Sequence, residues 1–169
     1  MTTFQIEHYG DTLRSSPRYE TEELKTIVLL AIHRLYSMDH SIIRRGVHEM
    51  TLTFRLGFYL QEYFPEHDVD CEYNRNGNDP KSTPETARGH STRPDILVHR
   101  RGENFPHNLV LIEAKRTGAQ ISERDRRKVR YFVHGDQDSH PYRYQLGVVL
   151  LFREHQFEIE FIERMTSSS

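Results

Sequence analysis

The segment from Leu109 to Lys115, LVLIEAK, constrains the fold of this chain more than any other. Apart from Glu113 and Lys115, its residues are apolar on both faces, which is typical of a strand in the middle of a sheet. The segment from Pro94 to Arg100, PDILVHR, also has strand character, and the RGENFPHN between the two has turn composition. The sequence therefore predicts an antiparallel hairpin inside a sheet.

Further helices and strands are predicted on both sides of this hairpin. A helix is predicted over Leu24 to Met38, beginning at Thr21, and a second one from near Gly46 to just before Pro65. The other predicted elements are a strand over His67 to Asn74, a long loop over residues 75–92, a helix over Ser122 to His134, and strands over Gln145 to Phe152 and Phe157 to Glu163. Residues 1–19 are expected to form an extended arm. This order indicates an α/β or α+β domain with a central mixed sheet flanked by helices.

The second predicted helix has apolar residues on two opposite faces. One face is formed by Leu52, Leu56, Leu60 and Tyr63, and the opposite one by Val47, Phe54 and Phe58. We therefore expect this helix to be covered on both sides. Glu49 lies in the middle of the first face, where a carboxylate is costly unless it is paired or bound to a metal.

Composition narrows the functional classes. The chain has 169 residues, which fits one domain, and its 23 Lys and Arg against 25 Asp and Glu give a net charge of −2. This balance disfavours a purely electrostatic nucleic-acid binder. The single cysteine, Cys71, excludes an internal disulfide framework, and no apolar stretch is long enough to cross a bilayer. We therefore expect a soluble, cytoplasmic protein with no membrane partner.

The predicted hairpin brings two acids together. Asp95 lies nine residues before Asn104, and Glu113 lies nine residues after it. A hairpin centred there places the two carboxylates opposite each other, with Cβ atoms about 4.5–5.5 Å apart. Carboxylates this close repel each other unless one is protonated or a cation binds both, and Mg²⁺ or Mn²⁺ fits oxygen ligands best. Lys115 shares the strand face of Glu113, and Glu49 from the second helix is the natural third acid.

These residues also match a known signature. Pro94-Asp95, seventeen intervening residues and then Glu113-Ala114-Lys115 together resemble the motif of the PD-(D/E)XK nuclease superfamily. The order of elements from about Gly46 to Phe152 is similar to the restriction-endonuclease-like αβββαβ core of that superfamily. The resemblance implies a nuclease core over residues 46–163, preceded by an arm and an extra helix over residues 1–45 and followed by a tail over residues 164–169.

The resemblance implies roles for individual residues. Asp95, Glu113 and the backbone carbonyl of Ala114 would bind Mg²⁺ or Mn²⁺, and Lys115 would be the catalytic lysine. Glu49 stands where many members carry a helix glutamate, so it would be a further metal-binding and catalytic residue. On the helix after the motif, Lys128 is the best match for a catalytic polar residue, with Asp125 as its competitor. For Glu72, a purely structural role is favoured.

The implied activity is that of a Mg²⁺-dependent endonuclease that hydrolyses phosphodiester bonds, with DNA favoured as the substrate. RNA is the alternative substrate, and the residues do not separate the two. The alternative is a catalytically inactive protein of the same fold that serves as a nucleic-acid-binding or protein-interaction subunit. Many nucleases of this kind act as homodimers, and the helix from Thr21 to Met38 with the preceding arm is the candidate dimer contact. The same helix is equally suited to cover the core.

Basic residues flank the predicted acids along the chain. Arg93, Arg116, Arg124 and Arg127 are the candidates for holding a nucleic-acid backbone. The alternative for such a run of charges is a solvated surface. Gathering the acids around a cation would leave these arginines available to phosphate, so the small net charge does not exclude a nucleic-acid substrate.

Overall fold

The computed structural model describes residues 18–73, 75–76, 79–80, 93–103, 106–135 and 142–164. Its helices are α1 (Thr21–Arg44), α2 (Glu49–Tyr63) and α3 (Glu123–His134). Its strands are β1 (Asp68–Cys71), β2 (Arg75–Asn76), β3 (Asp79–Pro80), β4 (Ile96–His99), β5 (Val110–Lys115), β6 (Leu146–Phe152) and β7 (Phe157–Glu163). The predicted arm over residues 1–19 and the tail lie largely outside the described residues.

Five strands form one mixed sheet in the order β1-β4-β5-β6-β7. β5 pairs antiparallel with β4 and parallel with β6, so it lies at the centre of the sheet, as its apolar faces predicted. β1 and β7 are the edge strands, each antiparallel to its neighbour. The described part of the chain is therefore an α+β domain with a mixed sheet and three helices, which agrees with the predicted class.

Alternate residues of the central strands enter two separate apolar clusters. Ile96, Val98 and Ile112 belong to the cluster that α1 and α2 cover. Leu97 and Leu111 belong to the second cluster, which contains Val129, Phe132 and Val133 of α3. The sheet is thus covered by α1 and α2 on one face and by α3 on the other. This explains why the first residues of β5 are apolar on both faces.

α1 begins at Thr21, as predicted, but it continues beyond Met38 to Arg44. The backbone leaves helical geometry at Asp39, where α1 kinks. The Asp39 carboxylate accepts hydrogen bonds from Arg55 Nε at 2.9 Å and from the Tyr59 hydroxyl at 2.7 Å, which ties the kink to α2. Leu24, Val28, Ala31, Ile32 and Leu35 of α1 are fully buried. This helix therefore covers the core, which is one of the two roles predicted for it, and the dimer contact stays a prediction.

Two predictions about α2 need correction. The helix begins at Glu49 and not near Gly46, because the His48 ring accepts a hydrogen bond from the Met50 amide and caps the helix there. Its second apolar face is not covered within the described part of the chain, since Phe54 is 61% exposed and Phe58 is 51% exposed. α2 packs between α1 and the β1 side of the sheet, and the face that points away from both is left in solvent.

The region predicted as one long loop contains short strands. β2 and β3 pair antiparallel as a two-stranded sheet of their own, and residues 77–78 and 81–92 of this region lie outside the described residues. The remaining boundaries agree with the predictions to within a few residues, and the serine cap of α3 is present as Ser122. Across the described residues, no helix is both long and apolar enough to cross a membrane.

Candidate active site

The register of the β4–β5 hairpin brings Asp95 and Glu113 face to face. Ile96 pairs with Ile112, so Asp95, one residue before, lies opposite Glu113, one residue after. The Ala114 amide donates a hydrogen bond to Asp95 Oδ2 at 2.7 Å and holds this carboxylate against β5. The register predicted from the spacing of the two acids around Asn104 is confirmed.

Glu113 is an almost completely buried acid that two lysines neutralise. It is 5% exposed. Its Oε2 lies 2.5 Å from Lys128 Nζ, and its Oε1 lies 3.5 Å from Lys115 Nζ. Lys128 also donates to the backbone carbonyl of Arg93 at 2.8 Å, so it links α3 to the segment that leads into β4. Two ammonium groups thus face this buried carboxylate, as the burial of a charged group requires.

Glu49 reaches the same cluster from the other helical layer. It is the first residue of α2, and its Oε1 lies 3.4 Å from Lys115 Nζ. Its Oε2 accepts a hydrogen bond from the backbone amide of Arg116 at 3.2 Å. Lys115 is therefore shared between Glu49 and Glu113, and it also donates to the carbonyl of Ala114 at 3.0 Å. The structure thus brings together Glu49, Asp95, Glu113, Lys115 and Lys128.

The pKa values of the cluster reflect its burial and its crowded charges. Burial, followed by the negative charge of Glu113, raises the pKa of Asp95 to about 7, against the opposing effect of the Ala114 amide. For Lys115, burial lowers the pKa, but the charges of Glu113, Asp95 and Glu49 outweigh burial and raise it overall. Near neutral pH, Asp95 is therefore poised between its protonated and ionised forms, while Lys115 stays charged.

The cluster has the donor atoms for a divalent cation, although lysines now face several of them. Among the residues that the structure describes, no group of three or more His, Cys, Asp or Glu side chains is arranged to hold a metal ion. The carboxylates of Asp95 and Glu113 and the carbonyl of Ala114 are hard oxygen donors of the kind that Mg²⁺ and Mn²⁺ prefer. These residues fit such a cation chemically, and binding it requires an ammonium group to withdraw from Glu113.

Two other acids near the cluster have local structural roles. Asp125 completes the capping box of α3, accepting hydrogen bonds from the amide and the hydroxyl of Ser122 at 2.7 Å each. Burial opposes ionisation, but these hydrogen bonds lower the pKa of Asp125 overall. Lys128, and not Asp125, is therefore the α3 residue that contacts Glu113. Glu72 has an exposed side chain and positive φ, and its amide donates to the Asp95 carbonyl at 3.1 Å.

The four arginines predicted to bind phosphate lie around the cluster and differ in the contacts that they make. Arg93, Arg124 and Arg127 are exposed, and the carbonyl of Arg93 holds Lys128. The Arg116 guanidinium donates to the Gly46 carbonyl at 3.3 Å. In the same basic run, Arg126 lies 2.7 Å from Glu160, and Arg130 lies 2.8 Å from Glu123. The run is thus only partly available to a ligand.

Sequence reasoning missed two basic residues beside the cluster. Arg44 is the last residue of α1, and Arg45 follows it just before the turn that leads to Glu49. From the sequence alone, an ion pair with either arginine is the alternative to a functional role of Glu49. Glu49 contacts Lys115 and the Arg116 amide instead. The adjacent arginines in IIRRGVHE are the signal that could have identified a second basic segment next to the site.

No protein-family model matches this chain, and no curated protein matches its sequence. Its function is therefore inferred from the geometry and chemistry of the site.

Proposed function

We propose that this chain is a divalent-metal-dependent nuclease that hydrolyses phosphodiester bonds in DNA. The observation that carries this proposal is the buried pair of facing carboxylates, Asp95 and Glu113, with Lys115 on the same strand face as Glu113. The order α2, β1, β4, β5, α3, β6 also follows the αβββαβ order of the restriction-endonuclease-like core, apart from the short β2–β3 pair. Both features support membership of the PD-(D/E)XK superfamily.

The proposed cation ligands are Asp95, Glu113 and the carbonyl of Ala114, with Glu49 as a further acid beyond Lys115. When bound, Mg²⁺ or Mn²⁺ would supply positive charge to the scissile phosphate and lower the pKa of a coordinated water. The pKa of Asp95, raised to about 7, fits this role, because a cation replaces the proton that this carboxyl otherwise keeps. Glu113 would supply the second carboxylate, with the cation taking the place of one of its ammonium partners.

Lys115 is the residue best suited to act on the reacting atoms. Its Nζ is held between Glu49 and Glu113, and the surrounding acids keep it charged. A charged ammonium in this position can donate a hydrogen bond to the attacking water or to a non-bridging phosphate oxygen. In the reaction the attacking water loses a proton to solvent as its oxygen bonds to phosphorus. The bond from phosphorus to one sugar oxygen breaks, and that oxygen takes up a proton from solvent, so one water is added overall.

The exposed arginines supply the proposed contacts to the rest of the substrate. Arg93, Arg124 and Arg127 lie on the α3 side of the carboxylates, and Arg116 directly follows β5. Phosphate contacts of this kind position a nucleic acid without reading its sequence. We therefore expect cleavage with little sequence specificity and with strong dependence on salt concentration.

Plasmid cleavage tests the proposal. Supercoiled DNA is incubated with the protein and Mg²⁺ or Mn²⁺, using wild type, Lys115→Ala and Lys25→Ala. Lys25 is a matched lysine control, ion-paired to Glu22 and Glu163 at 2.6 Å each and outside the site. We expect metal-dependent nicking by wild type and Lys25→Ala, and none by Lys115→Ala. Equal cleavage by all three proteins contradicts the assignment of Lys115, and absence of cleavage by wild type contradicts the nuclease.

One observation favours a second candidate, the catalytically inactive binding subunit. Lys128 and Lys115 already neutralise Glu113, as expected of a site that has replaced a metal by internal cations. Calorimetric titration with Mn²⁺ separates the two functions. Stoichiometric binding that Asp95→Asn abolishes supports the nuclease, whereas DNA binding without any Mn²⁺ binding supports the inactive subunit.

A further inference from the structure

Arg44 and Arg45 form an exposed basic pair at the end of α1. Among the described residues neither arginine takes part in an ion pair, in contrast to Arg55, Arg126 and Arg130, whose guanidinium groups contact carboxylates. An arginine without a local carboxylate keeps its full charge available to a ligand. We call Arg44 and Arg45 the α1-end pair.

The turn that follows the α1-end pair is held next to the candidate active site. The turn that follows is closed by hydrogen bonds from the Arg45 amide to the Ser41 carbonyl and from the Gly46 amide to the Ile43 carbonyl. The Arg116 guanidinium donates to the carbonyl of Gly46 at 3.3 Å, and the Arg116 amide donates to Glu49 at 3.2 Å. These contacts join the turn to the end of β5, where Lys115 stands.

The carboxylates thus lie between two basic borders. On the α3 side, Lys128 links Glu113 to Arg93, and Arg124 lies one turn before Lys128 on the same helix flank. On the α2 side, Lys115 links Glu113 to Glu49, beyond which lie Arg116 and the α1-end pair. Lys115 and Lys128 together offset two of the three carboxylates, so the acids cancel only a small part of the charge of the exposed arginines.

We propose that the α1-end pair binds the phosphate backbone of the DNA substrate on the α2 side of the site. This inference rests on the proposed function, and it assigns to the substrate a second set of phosphate contacts across the carboxylates from Arg93 and Arg124. A nucleic acid is favoured over an acidic protein because the pair adjoins the centre at which a phosphodiester would be bound. Both arginines would act as positioning residues.

A purely structural role for the pair makes a different prediction. Arg44 lies in the last turn of α1, where a cation interacts favourably with the helix dipole. Its replacement would then lower the thermal stability and leave DNA affinity unchanged. Arg45 follows the last helical residue and serves as the more direct test.

Salt-dependent DNA binding tests the inference. Anisotropy of a short fluorescein-labelled DNA duplex is measured with EDTA present, so that no cleavage occurs, in about 50 to 200 mM salt. The variants are Arg44→Glu, Arg45→Glu and the control Arg18→Glu. Arg18 is also exposed, but it precedes Tyr19, whose ring packs on His67 at the end of the sheet remote from Asp95. Thermal melting checks that each variant folds. If a glutamate variant does not fold, the glutamine variant at the same position is used in its place.

We expect Arg44→Glu and Arg45→Glu each to weaken binding several-fold and to reduce the slope of log K against log salt by about one. Arg18→Glu should bind like wild type. If wild type binds DNA and both variants retain its affinity and slope, the inference about the α1-end pair is wrong while the nuclease proposal stands. If wild type neither binds nor cleaves DNA, both are wrong.

Discussion

Lys128 Nζ lies 2.5 Å from Glu113 Oε2, so an ammonium group from α3 contacts one oxygen of the most buried acid in the site. The same ammonium group donates to the carbonyl of Arg93 at 2.8 Å. Lys128 therefore connects α3, β5 and the segment before β4 through a single charge. It also competes with any cation for Glu113.

Replacement of Lys128 by alanine should strengthen the binding of Mn²⁺. Removing a positive charge beside Glu113 leaves the carboxylate without one of its two ammonium partners. We expect the Mn²⁺ dissociation constant to fall about tenfold, which corresponds to roughly 1.4 kcal/mol of lost repulsion. Isothermal titration with Mn²⁺ measures this, with Lys25→Ala as the lysine control. Weaker binding by Lys128→Ala would show that Lys128 supports the cation and does not compete with it.

Asp95→Asn should stabilise the metal-free protein at neutral and alkaline pH. The pKa of Asp95 is raised to about 7 in the folded protein, so the folded state holds its proton more tightly than the unfolded state does. The contribution of Asp95 to stability is therefore fully present below about pH 4 and is lost as the pH rises to 7, by up to about 4 kcal/mol. Urea unfolding should show a gain for Asp95→Asn that grows between pH 4 and 7.

Asp125→Asn provides the control of opposite sign. The hydrogen bonds from Ser122 outweigh burial and lower the pKa of Asp125, so its ionised form stabilises the fold above the ordinary carboxyl pKa. Its replacement should cost stability at neutral pH and cost less as the solution is acidified. A gain for Asp95→Asn that does not vary with pH would contradict the proposed burial of the Asp95 charge beside Glu113.

His67 should make the fold sensitive to acid. Its side chain is 2% exposed, and burial lowers its pKa to about 4, with a further contribution from Arg100. Between about pH 6.5 and 4 the unfolded state therefore binds more protons, and stability falls as the pH falls, by up to about 3 kcal/mol.

His67→Phe should remove this pH dependence, because an aromatic ring still packs against Tyr19 and Phe64 but carries no titratable nitrogen. Thermal melting of wild type and His67→Phe over this pH range measures the difference. The two melting curves should diverge as the pH falls from 6.5 towards 4. Parallel loss of stability in both proteins would locate the acid sensitivity elsewhere.

Gly147→Ala should disturb the site through α3. A Cβ at position 147 of β6 would lie 2.7 Å from Val133 Cγ2 and closer still to Val129 Cγ1, so these side chains of α3 must shift. We expect a loss of about 1–3 kcal/mol of stability. We also expect weaker DNA cleavage, because α3 holds Lys128 against Glu113. The double variant Gly147→Ala/Val129→Ala should recover part of both losses. Full activity in Gly147→Ala would show that the position of α3 is not critical.

The sequence was sufficient to predict the hairpin at the centre of the site. Equal spacing of Asp95 and Glu113 around Asn104 fixes the register, because each strand residue has one partner in an antiparallel pair. Continuous apolar runs also identified β5 and β6, because a strand that is buried on both faces has apolar residues at nearly every position. These are properties of single elements and their nearest neighbours in the chain.

Contacts between distant elements could not be predicted in the same way. Periodicity identified the apolar face of α2 at Phe54 and Phe58, but it cannot show whether another helix or strand packs on that face. In the described part of the chain both side chains are exposed. The hydrogen bond from Lys128 to the Arg93 carbonyl depends on how closely α3 packs on the sheet. Gly147 permits this close packing, because it has no side chain facing α3. The kink at Asp39 depends on Arg55 and Tyr59 of another helix.

We propose above all that Asp95 and Glu113 together bind a divalent cation. Anomalous diffraction from crystals grown with Mn²⁺ tests it most directly. We predict a manganese peak in contact with both carboxylates, with Lys128 withdrawn from Glu113. Crystals that show no manganese at these residues, with Lys128 still bound to Glu113, would contradict it.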